Sequence, residues 1–232
     1  MVVTPELLSV FPLLRPLGPE NLAELAQLAT ATKHARRSVV LNAGEEACQL
    51  CFLFEGRLQA VDFTVDGREV GLYFVDPGDF CGELALFDYG PQPEYLIALA
   101  PSLVVSVPLE EFRLRLMGHP DTITALGRRL ASRLRQMSHQ RALLGMPNIT
   151  QRVCCQLWEL LNADDRLRTQ ASIRNPPTHM EIAIMLNLSR ETVTRVFQVL
   201  QGQSIIRRAG THELLVPDVP RLRALVEGGA EL

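Results

Sequence analysis

The sequence lacks any apolar run that approaches the roughly 18 residues a membrane-spanning helix requires. Residues 1–14 contain no basic stretch ahead of a long apolar core, so a secretory signal is not expected either. Cysteine is scarce, with five in 232 residues, and an odd number in a chain long enough to bury a core argues against a disulfide scaffold. These absences predict a cytoplasmic globular protein with no membrane partner and with reduced, mostly buried thiols.

A surplus of positive charge is also missing, since the formal net charge is −3. The charge is nevertheless unevenly spread. Residues 1–147 carry 13 basic and 17 acidic side chains, a balance of −4, whereas residues 148–232 carry 10 and 9, a balance of +1. Within residues 188–211, four arginines accompany one glutamate. Such a basic island on an acidic protein is typical either of a local phosphate-binding face or of an ordinary solvated helix.

The pattern in the first half of the chain indicates a small β-rich domain. The segment from Pro19 to Thr32 has leucines near helical spacing and predicts one short opening helix. From Arg37 to Val107, short runs rich in Val, Leu and Phe are separated by glycines about every 10 residues, which predicts a compact barrel or sandwich. Asp66-Gly67 lies between two such runs and predicts a hairpin, because both residues tolerate positive φ.

Helical spacing begins again after Pro108. We expect a short helix from Leu109 to Met117 and a second helix from Asp121 to Leu144, the latter about 36 Å long. Positions of the second helix recur at alternating steps of three and four, as in the seam of a coiled coil. These positions are Gly127, Leu130, Leu134, Met137, Arg141 and Leu144. The seam predicts a homodimer held by its four leucine and methionine side chains; the alternative is that the stripe packs on the barrel.

The pattern after Gly145-Met146-Pro147 predicts a winged helix-turn-helix domain. Asn148 can cap a helix over residues 150–162. Two short helices follow, from Thr178 to Leu186 and from Arg190 to Gln201, and a hairpin spans Ile205 to Val216. Asn187 stands in the turn between the two helices, where a left-handed residue is commonly needed and where Asn tolerates that conformation.

The starts of the two short helices carry polar side chains suited to DNA. Thr178 and Ser189 are good N-caps, and the free backbone N–H groups at such helix starts can bind phosphates. Arginine can donate two hydrogen bonds to guanine O6 and N7, and glutamate can accept one from cytosine N4. The candidates on the second helix are Arg190, Glu191, Thr194 and Arg195. The alternative is a surface ion pair between Glu191 and Arg195, which are four residues apart.

Three segments resemble the cyclic-AMP receptor protein (Crp/Fnr) family of bacterial transcription regulators. They are Phe11-Pro-Leu-Leu, Pro77-Gly-Asp-Phe-Cys-Gly-Glu-Leu-Ala-Leu-Phe87 and Leu188-Ser-Arg-Glu-Thr-Val-Thr-Arg195, so the resemblance covers nearly the whole chain. It implies an α+β fold with a cyclic-nucleotide-binding-like β-roll sensor domain over residues 1–118. A dimerisation helix over residues 119–146 and a C-terminal winged helix-turn-helix domain over residues 147–232 would follow.

The resemblance also implies how the protein acts. A homodimer would bind an inverted repeat with TGTGA-like half-sites in double-stranded DNA and would meet RNA polymerase there. Arg190, Glu191 and Arg195 would read bases, and the hydroxyl side chains at the helix starts would hold phosphates. The full set of expected DNA contacts is Thr178, Ser189, Arg190, Glu191, Thr192, Thr194, Arg195, Arg207 and Arg208.

The candidate effector site is where the chain departs from the family pattern. Pro93 and Glu94 stand where cyclic-AMP-binding relatives have an Arg-Ser pair, and Met137-Ser138 replaces a Thr-Ser pair that meets the adenine. A carboxylate repels a phosphate and proline lacks an N–H donor, so cyclic AMP is not expected to bind. An arginine from elsewhere, for example Arg133, is the remaining candidate to reach a phosphate. The residues expected at this site are Gly82, Glu83, Leu84, Ala85, Glu94, Met137 and Ser138.

The identity of the cofactor stays open on these residues. Gly82 also fits a mere corner of the roll, and Glu83 fits a solvated or loop-bonding acid. Another nucleotide such as a cyclic dinucleotide, haem, a redox event or no ligand at all remain alternatives. The alternative function class is a haem- or redox-sensing ligand-binding module that acts mainly through protein contacts.

The cysteines and histidines form no recognisable metal or catalytic motif. Cys48 and Cys51 have CxxC spacing, but on a strand such residues point to opposite faces. Cys81 lies close to the position of a thiolate ligand in a haem-binding relative, yet no histidine is nearby in the sequence. We interpret Cys81 and Cys154-Cys155 as packing residues. Neither a metal site nor an enzymatic activity is expected.

Overall fold

The computed structural model describes residues 2–210 and 212–229. The described chain divides into two compact units, the first ending at Met137 and the second beginning at Ser138. Each unit has its own hydrophobic core, and the first unit has two buried clusters. The division falls inside the segment 119–146 that the sequence assigns to a dimerisation helix.

The helices and strands follow the chain in this order. In the first unit, the helices are α1 (Pro5–Ser9), α2 (Gly18–Leu28), α3 (Ala85–Asp88) and α4 (Leu109–Leu116), with a 3₁₀ helix at Arg15–Leu17. Its strands are β1 (Thr30–His34), β2 (Val39–Leu41), β3 (Gln49–Glu55), β4 (Leu58–Phe63), β5 (Glu69–Val75), β6 (Phe80–Cys81), β7 (Tyr95–Ala98) and β8 (Ser102–Pro108). Helix α5 (Pro120–Leu144) crosses the division. The second unit contains α6 (Ile149–Glu159), a 3₁₀ helix (Asp165–Leu167), β9 (Ala171–Arg174), α7 (His179–Leu186), α8 (Arg190–Gly202), β10 (Arg207–Arg208), β11 (Glu213–Val216) and α9 (Val219–Val226).

The strands of the first unit form two four-stranded antiparallel sheets, ordered β1-β8-β3-β6 and β2-β7-β4-β5. Strand β3 is buried on both faces because successive side chains of a strand point in opposite directions. Leu50 and Phe52 pack in the cluster that includes the N-terminal helices, whereas Cys51 and Leu53 pack in the cluster between the two sheets. This architecture confirms the β-roll, and with the helices it confirms the α+β class.

The hairpin between β4 and β5 forms where the sequence predicts it. Gly67 adopts a φ of 78° and its N–H donates to the carbonyl of Thr64 at 2.8 Å. The N–H of Thr64 donates in turn to the carbonyl of Arg68 at 3.0 Å. Gly67 therefore supplies the positive φ on which the turn depends.

The prediction of the N-terminal helix is wrong at its C-terminal end, although its start lies within one residue of the observed start at Gly18. The helix expected from Pro19 to Thr32 ends at Leu28, and β1 begins at Thr30 to pair with β8. Pairing with β8 satisfies the backbone groups of residues 30–34 in a sheet ladder, which outweighs weak local helical spacing. The earlier helix α1 is missed because it has only five residues, although Thr4 caps it and Pro5 begins it.

The long helix runs from Pro120 to Leu144, one residue longer than expected. Several of its apolar side chains lie on the surface, with Leu134 70% and Met137 41% exposed. No helix in the described ranges is both long enough and apolar enough to cross a membrane.

The second unit confirms the winged helix-turn-helix. Asn148 caps α6 by accepting a hydrogen bond from the N–H of Gln151 at 3.1 Å. Helices α7 and α8 begin and end within one residue of the expected positions, and β10 and β11 form the wing. Apolar residues of α7, α8 and the turn between them lie in or against one buried cluster, namely Ile182, Ala183, Leu186, Leu188, Val193, Val196 and Leu200.

The loop between α6 and α7 was interpreted as a possible place for a strand and contains one, whereas the helix after the wing was not predicted. Strand β9 pairs with β11 and completes a three-stranded sheet of order β10-β11-β9. Helix α9 follows the wing, and Asp218 caps it by accepting from the N–H of Arg221 at 2.8 Å. The start signal of α9 was present in the sequence, because Asp218 precedes a proline in the first turn.

Candidate nucleic-acid interface and effector site

The helix-turn-helix is held by three local capping interactions. Thr178 and Glu181 form a reciprocal capping box, in which the Thr178 hydroxyl accepts from the Glu181 N–H at 3.3 Å and the Glu181 carboxylate accepts from the Thr178 N–H at 2.9 Å. The Ser189 hydroxyl accepts from the N–H of Thr192 at 3.1 Å. Between the caps, Asn187 ends α7 in the left-handed conformation with φ of 50°. These interactions fix where α8 begins relative to α7.

The expected base readers lie together on the exposed side of α8. Arg190, Glu191 and Arg195 are exposed, while Val193 and Val196 on the other side of the helix are buried. Within the described part of the chain, neither arginine forms an ion pair with Glu191. The surface pair between Glu191 and Arg195 is therefore not formed, and all three polar groups point away from the core.

Thr192 and Thr194 have internal partners and are only half exposed. The Thr192 hydroxyl lies 2.9 Å from that of Ser189, and the Thr194 hydroxyl donates to the carbonyl of Arg190 at 2.9 Å. Both side chains stabilise the first turns of α8. The wing arginines Arg207 and Arg208 are exposed on β10.

His179 is a residue of this surface that the sequence reasoning missed. Its Nδ1 atom lies 2.9 Å from the Thr194 hydroxyl, and its ring centroid lies 4.4 Å from that of Phe197. Burial lowers the pKa of His179, and the positive charges of Arg208 and Arg190 lower it further. The His179 side chain thus connects α7 to α8, and it lies within the electrostatic influence of one arginine of the wing and one of α8. The sequence feature that could have identified His179 is its position directly after the N-cap Thr178.

In the first unit, a buried ion pair occupies the centre of the candidate effector site. Glu83 and Arg133 form a salt bridge with side chains only 3% and 5% exposed. Arg133 also donates to the carbonyl of Phe80 and lies 3.3 Å from a carboxylate oxygen of Asp79. The Nε of Arg129 donates to Asp79 at 2.8 Å. The candidate phosphate ligand Arg133 is therefore already neutralised by the chain's own acids.

Glu94 is buried beside this ion pair. The Tyr73 hydroxyl donates a hydrogen bond to the Glu94 carboxylate, and the guanidinium of Arg133 lies 4.7 Å from the centroid of the Tyr73 ring. Burial raises the pKa of the Glu94 carboxyl, and the negative charge of Glu83 adds to the rise. Tyr73 was not predicted, because it lies 21 residues away in the chain and on another strand. Tyr73, Glu83, Glu94 and Arg133 form what we call the Arg133 cluster.

The remaining predicted effector residues are more dispersed. Gly82 has a φ of 84°, and a Cβ atom there would lie 2.8 Å from the carbonyl oxygen of Gln49. Its place in the roll thus requires glycine irrespective of any ligand. Ala85 is buried, whereas Leu84 and Met137 are 42% and 41% exposed. Ser138 belongs to the second unit. Among the residues that the structure describes, no group of three or more His, Cys, Asp or Glu side chains is placed to hold a metal ion.

Comparisons with known proteins match both units. Residues 32–119 match the cyclic nucleotide-binding domain family, and residues 151–225 match the Crp-like helix-turn-helix domain family. The chain is 30% identical over 179 residues to the cAMP-activated global transcriptional regulator CRP of Pasteurella multocida, covering 77% of this chain and 86% of that protein.

Solved structures share the fold. FixK2 from Bradyrhizobium japonicum has a TM-score of 0.73 at 24% identity, covering 85% of this chain and 96% of that one. CLP from Xanthomonas campestris, a c-di-GMP responsive global regulator, has a TM-score of 0.67 at 19% identity, covering 86% of this chain and 99% of that one.

The buried Glu94 predicts a pH-dependent stability. The pKa of Glu94 is higher in the folded protein than in the unfolded chain, where it is about 4.3. Below the unfolded pKa the carboxyl is protonated in both states, and its full contribution to the stability of the fold is present. This contribution is lost as the pH rises through the folded pKa, because the buried carboxyl then ionises. Glu94→Gln keeps a neutral acceptor for the Tyr73 hydroxyl. We expect it to raise the melting temperature by a few degrees near pH 8 and to have no such effect near pH 4, as measured by scanning calorimetry.

The matched control for this measurement is Glu46→Gln, because Glu46 is exposed on the same unit. Its melting temperature should follow that of the wild type at both pH values. If Glu94→Gln is less stable than the wild type near pH 8, the ionised Glu94 does not destabilise the fold through its burial, and the explanation is contradicted.

Proposed function

We propose, from the premise that this chain belongs to the Crp/Fnr family of DNA-binding transcription regulators, that it binds an inverted repeat with TGTGA-like half-sites as a homodimer. The observation that carries this proposal is the exposed group Arg190, Glu191 and Arg195 at the capped start of α8. We further propose that the regulator acts in the cytoplasm, where its DNA and its protein partner RNA polymerase are. No catalytic step is part of the proposal.

The chemistry of α8 supports sequence reading rather than general attraction to phosphates. A carboxylate near DNA is repelled by the backbone, and Glu191 is suited to such a surface only if it accepts a hydrogen bond from a cytosine amino group. Arg190 and Arg195 can each bind a guanine through two hydrogen bonds. The three side chains extend from one rigid helix, so they can contact neighbouring base pairs in a major groove.

Phosphate contacts have a source on both sides of this helix. The N-terminal N–H groups of α7 and α8 are oriented by their caps, and the Thr178 hydroxyl still has a hydrogen to donate after accepting from the backbone. Ser189 and Thr192 share one hydroxyl–hydroxyl hydrogen bond, so one of these two hydroxyls also keeps a hydrogen to donate. Arg207 and Arg208 extend from the wing. Such contacts position a protein on the duplex without selecting a sequence.

The exposed apolar side chains of α5 support the homodimer. Leu134 is largely in solvent, Met137 is partly exposed, and Leu130 and Leu144 are half buried, at the spacing of a two-helix seam. Covering such a stripe with a second copy removes apolar surface from water. A twofold dimer also places two recognition helices for the two halves of an inverted repeat.

The charges of the Arg133 cluster support the proposal that cyclic AMP does not bind at this site. A cyclic phosphate placed beside Glu94 would meet a second carboxylate, Glu83, and an arginine already paired with Glu83 and Asp79. Both effects weaken the binding of an anion. Because CLP is described as responsive to c-di-GMP, a cyclic dinucleotide is the first alternative ligand to test.

The alternative is a haem- or redox-sensing module that acts mainly through protein contacts. Duplex DNA binding that falls steeply with salt separates the two functions, since neutralised phosphates release counterions. A protein that binds no duplex but retains a tightly held ligand would favour the alternative.

Base choice tests the role of Glu191. Glu191→Ala should broaden the base preference at one position of each half-site more than it lowers overall affinity. The variant loses the hydrogen bond that selects cytosine, but it also loses the repulsion between the carboxylate and the DNA phosphates. Arg208→Ala should instead weaken all sequences alike and reduce the slope of log affinity against log salt by about 1. Selection from random duplexes, followed by binding titrations at several salt concentrations, measures both. Recovery of no inverted repeat, or an unchanged preference in Glu191→Ala, would contradict the assignment.

The dimer is tested by charging the seam. Leu134→Glu should give monomers at micromolar concentration and lose DNA affinity, because a buried seam excludes an unpaired carboxylate and one half-site supplies only part of the contacts. Sedimentation measures the mass. Leu114→Glu is the matched control, since Leu114 on α4 is 72% exposed and Leu134 is 70% exposed. A monomeric wild type, or equal effects of the two substitutions, would argue against this seam.

Calorimetry with cyclic AMP tests the effector. We expect no binding at micromolar concentrations and no change in DNA affinity when the nucleotide is added. The double variant Pro93→Arg with Glu94→Ser restores a cationic and a hydroxyl group and should gain measurable affinity, with Met137→Thr as a further change if the gain is small. Micromolar affinity in the wild type would show that Arg133 leaves its acids to bind the phosphate.

A further inference from the structure

Two of the five cysteines lie directly opposite each other on neighbouring strands. The antiparallel register of β3 and β6 pairs Cys51 with Cys81, and both side chains lie in the buried cluster between the sheets. Directly opposed residues of antiparallel strands have Cα atoms about 4.5–5.5 Å apart. Disulfides span Cα separations of about 4.4–6.8 Å, so the separation expected for this pair lies within the range of a disulfide.

The other three cysteines have different surroundings. Cys48 is exposed and precedes β3. Cys154 and Cys155 are neighbours on α6, and adjacent side chains of a helix do not face each other. Among the described thiols, the opposed geometry is confined to Cys51 and Cys81.

We propose that Cys51 and Cys81 are a thiol–disulfide couple that closes to an intrachain disulfide when the protein meets a two-electron thiol oxidant such as hydrogen peroxide. The thiolate of Cys51 attacks one peroxide oxygen and becomes a sulfenic acid, and the O–O bond breaks to release one water after protonation. The sulfur of Cys81 then attacks the sulfenic sulfur, loses its proton, and releases a second water. The two thiols are oxidised by two electrons in total, and the peroxide is reduced.

The surroundings of the pair assign different roles to the two sulfurs. The hydroxyl of Ser106 lies 3.5 Å from the sulfur of Cys51 and can donate a hydrogen bond to its thiolate. The neighbouring Cys81 thiol and this hydroxyl both lower the pKa of the Cys51 thiol, whereas the neighbouring Cys51 thiol and burial raise the pKa of the Cys81 thiol. Because the thiolate is the nucleophile, Cys51 reacts first with the oxidant and Cys81 resolves the sulfenic acid.

Access to the pair requires a local opening, since Cys51 and Cys81 are 2% and 0% exposed. Strand β6 offers one, because it has only two residues and lies at the edge of its sheet. Short edge strands open at lower cost than central strands do. A small neutral oxidant can enter through such an opening, more slowly than it reaches the exposed Cys48.

The position of the pair connects it to the Arg133 cluster. Cys81 is followed directly by Gly82 and Glu83, and the Glu83 carboxylate is paired with Arg133 of α5. The disulfide would fasten the residue that precedes this loop to β3. The oxidation state of the pair would thus change how far the loop carrying Glu83 can move.

Peptide mapping of the full-length protein tests the proposal. The reduced protein is treated with hydrogen peroxide, its remaining thiols are alkylated, and it is digested without reductant. We expect a cross-linked peptide that joins Cys51 to Cys81, formed after Cys48 has reacted and lost on treatment with dithiothreitol. The melting temperature of the oxidised protein should lie above that of the reduced protein, because the bond restricts the unfolded chain.

Three serine variants identify which cysteines form the disulfide and which one is oxidised first. Cys48→Ser should form the same cross-link and show the same rise in melting temperature. Cys81→Ser should form neither, and a sulfenic-acid trap such as dimedone should label its Cys51. Cys51→Ser should leave Cys81 unlabelled by the trap.

Two results would overturn the proposal independently of how any variant folds. One is a wild type whose Cys51 and Cys81 both remain alkylatable when Cys48 is fully oxidised and circular dichroism shows intact structure. The other is a wild type in which the cross-links of these residues lead to Cys48 or to a second chain.

Discussion

The buried guanidinium of Arg133 is the constraint on which the candidate effector site depends. Removing an ion from water costs several kcal/mol, and the cost is offset only when the charge is paired and its hydrogens are bonded. Glu83 and Asp79 supply the charges, and the carbonyl of Phe80 accepts a further hydrogen bond. The segment between β5 and α3 is therefore held to α5. Losing Glu83 would leave Arg129 and Arg133 to share the single carboxylate of Asp79, and breaking a buried ion pair in this way costs about 3–5 kcal/mol.

Local signals account for the parts of the molecule that the sequence predicts well. The caps Thr178 and Ser189, the left-handed Asn187 and the hairpin at Gly67 each act within a few residues, so they can be recognised without knowing the fold. Helix α8 was found in this way, together with the exposed side chains that we propose read bases.

Contacts between distant segments account for what the sequence could not predict. Strand β1 forms because β8 is there to pair with it, which local helical spacing does not reveal. Glu94 was expected to be an acid that repels a ligand. Its burial beneath Tyr73 depends on the pairing of strands that lie far apart in the chain. The partners of Arg133 depend in the same way on where α5 meets the roll.

Strand β3 has a consequence for how the first unit comes apart. Its alternate side chains belong to two different buried clusters, so the strand lies between the two clusters and contributes to each. Detaching the N-terminal helices exposes Leu50 and Phe52, and the same backbone carries Cys51 and Leu53 of the inner cluster. A shift of β3 by one residue would exchange the two sets of side chains and disrupt both clusters at once. We therefore expect the N-terminal helices and the roll to unfold together.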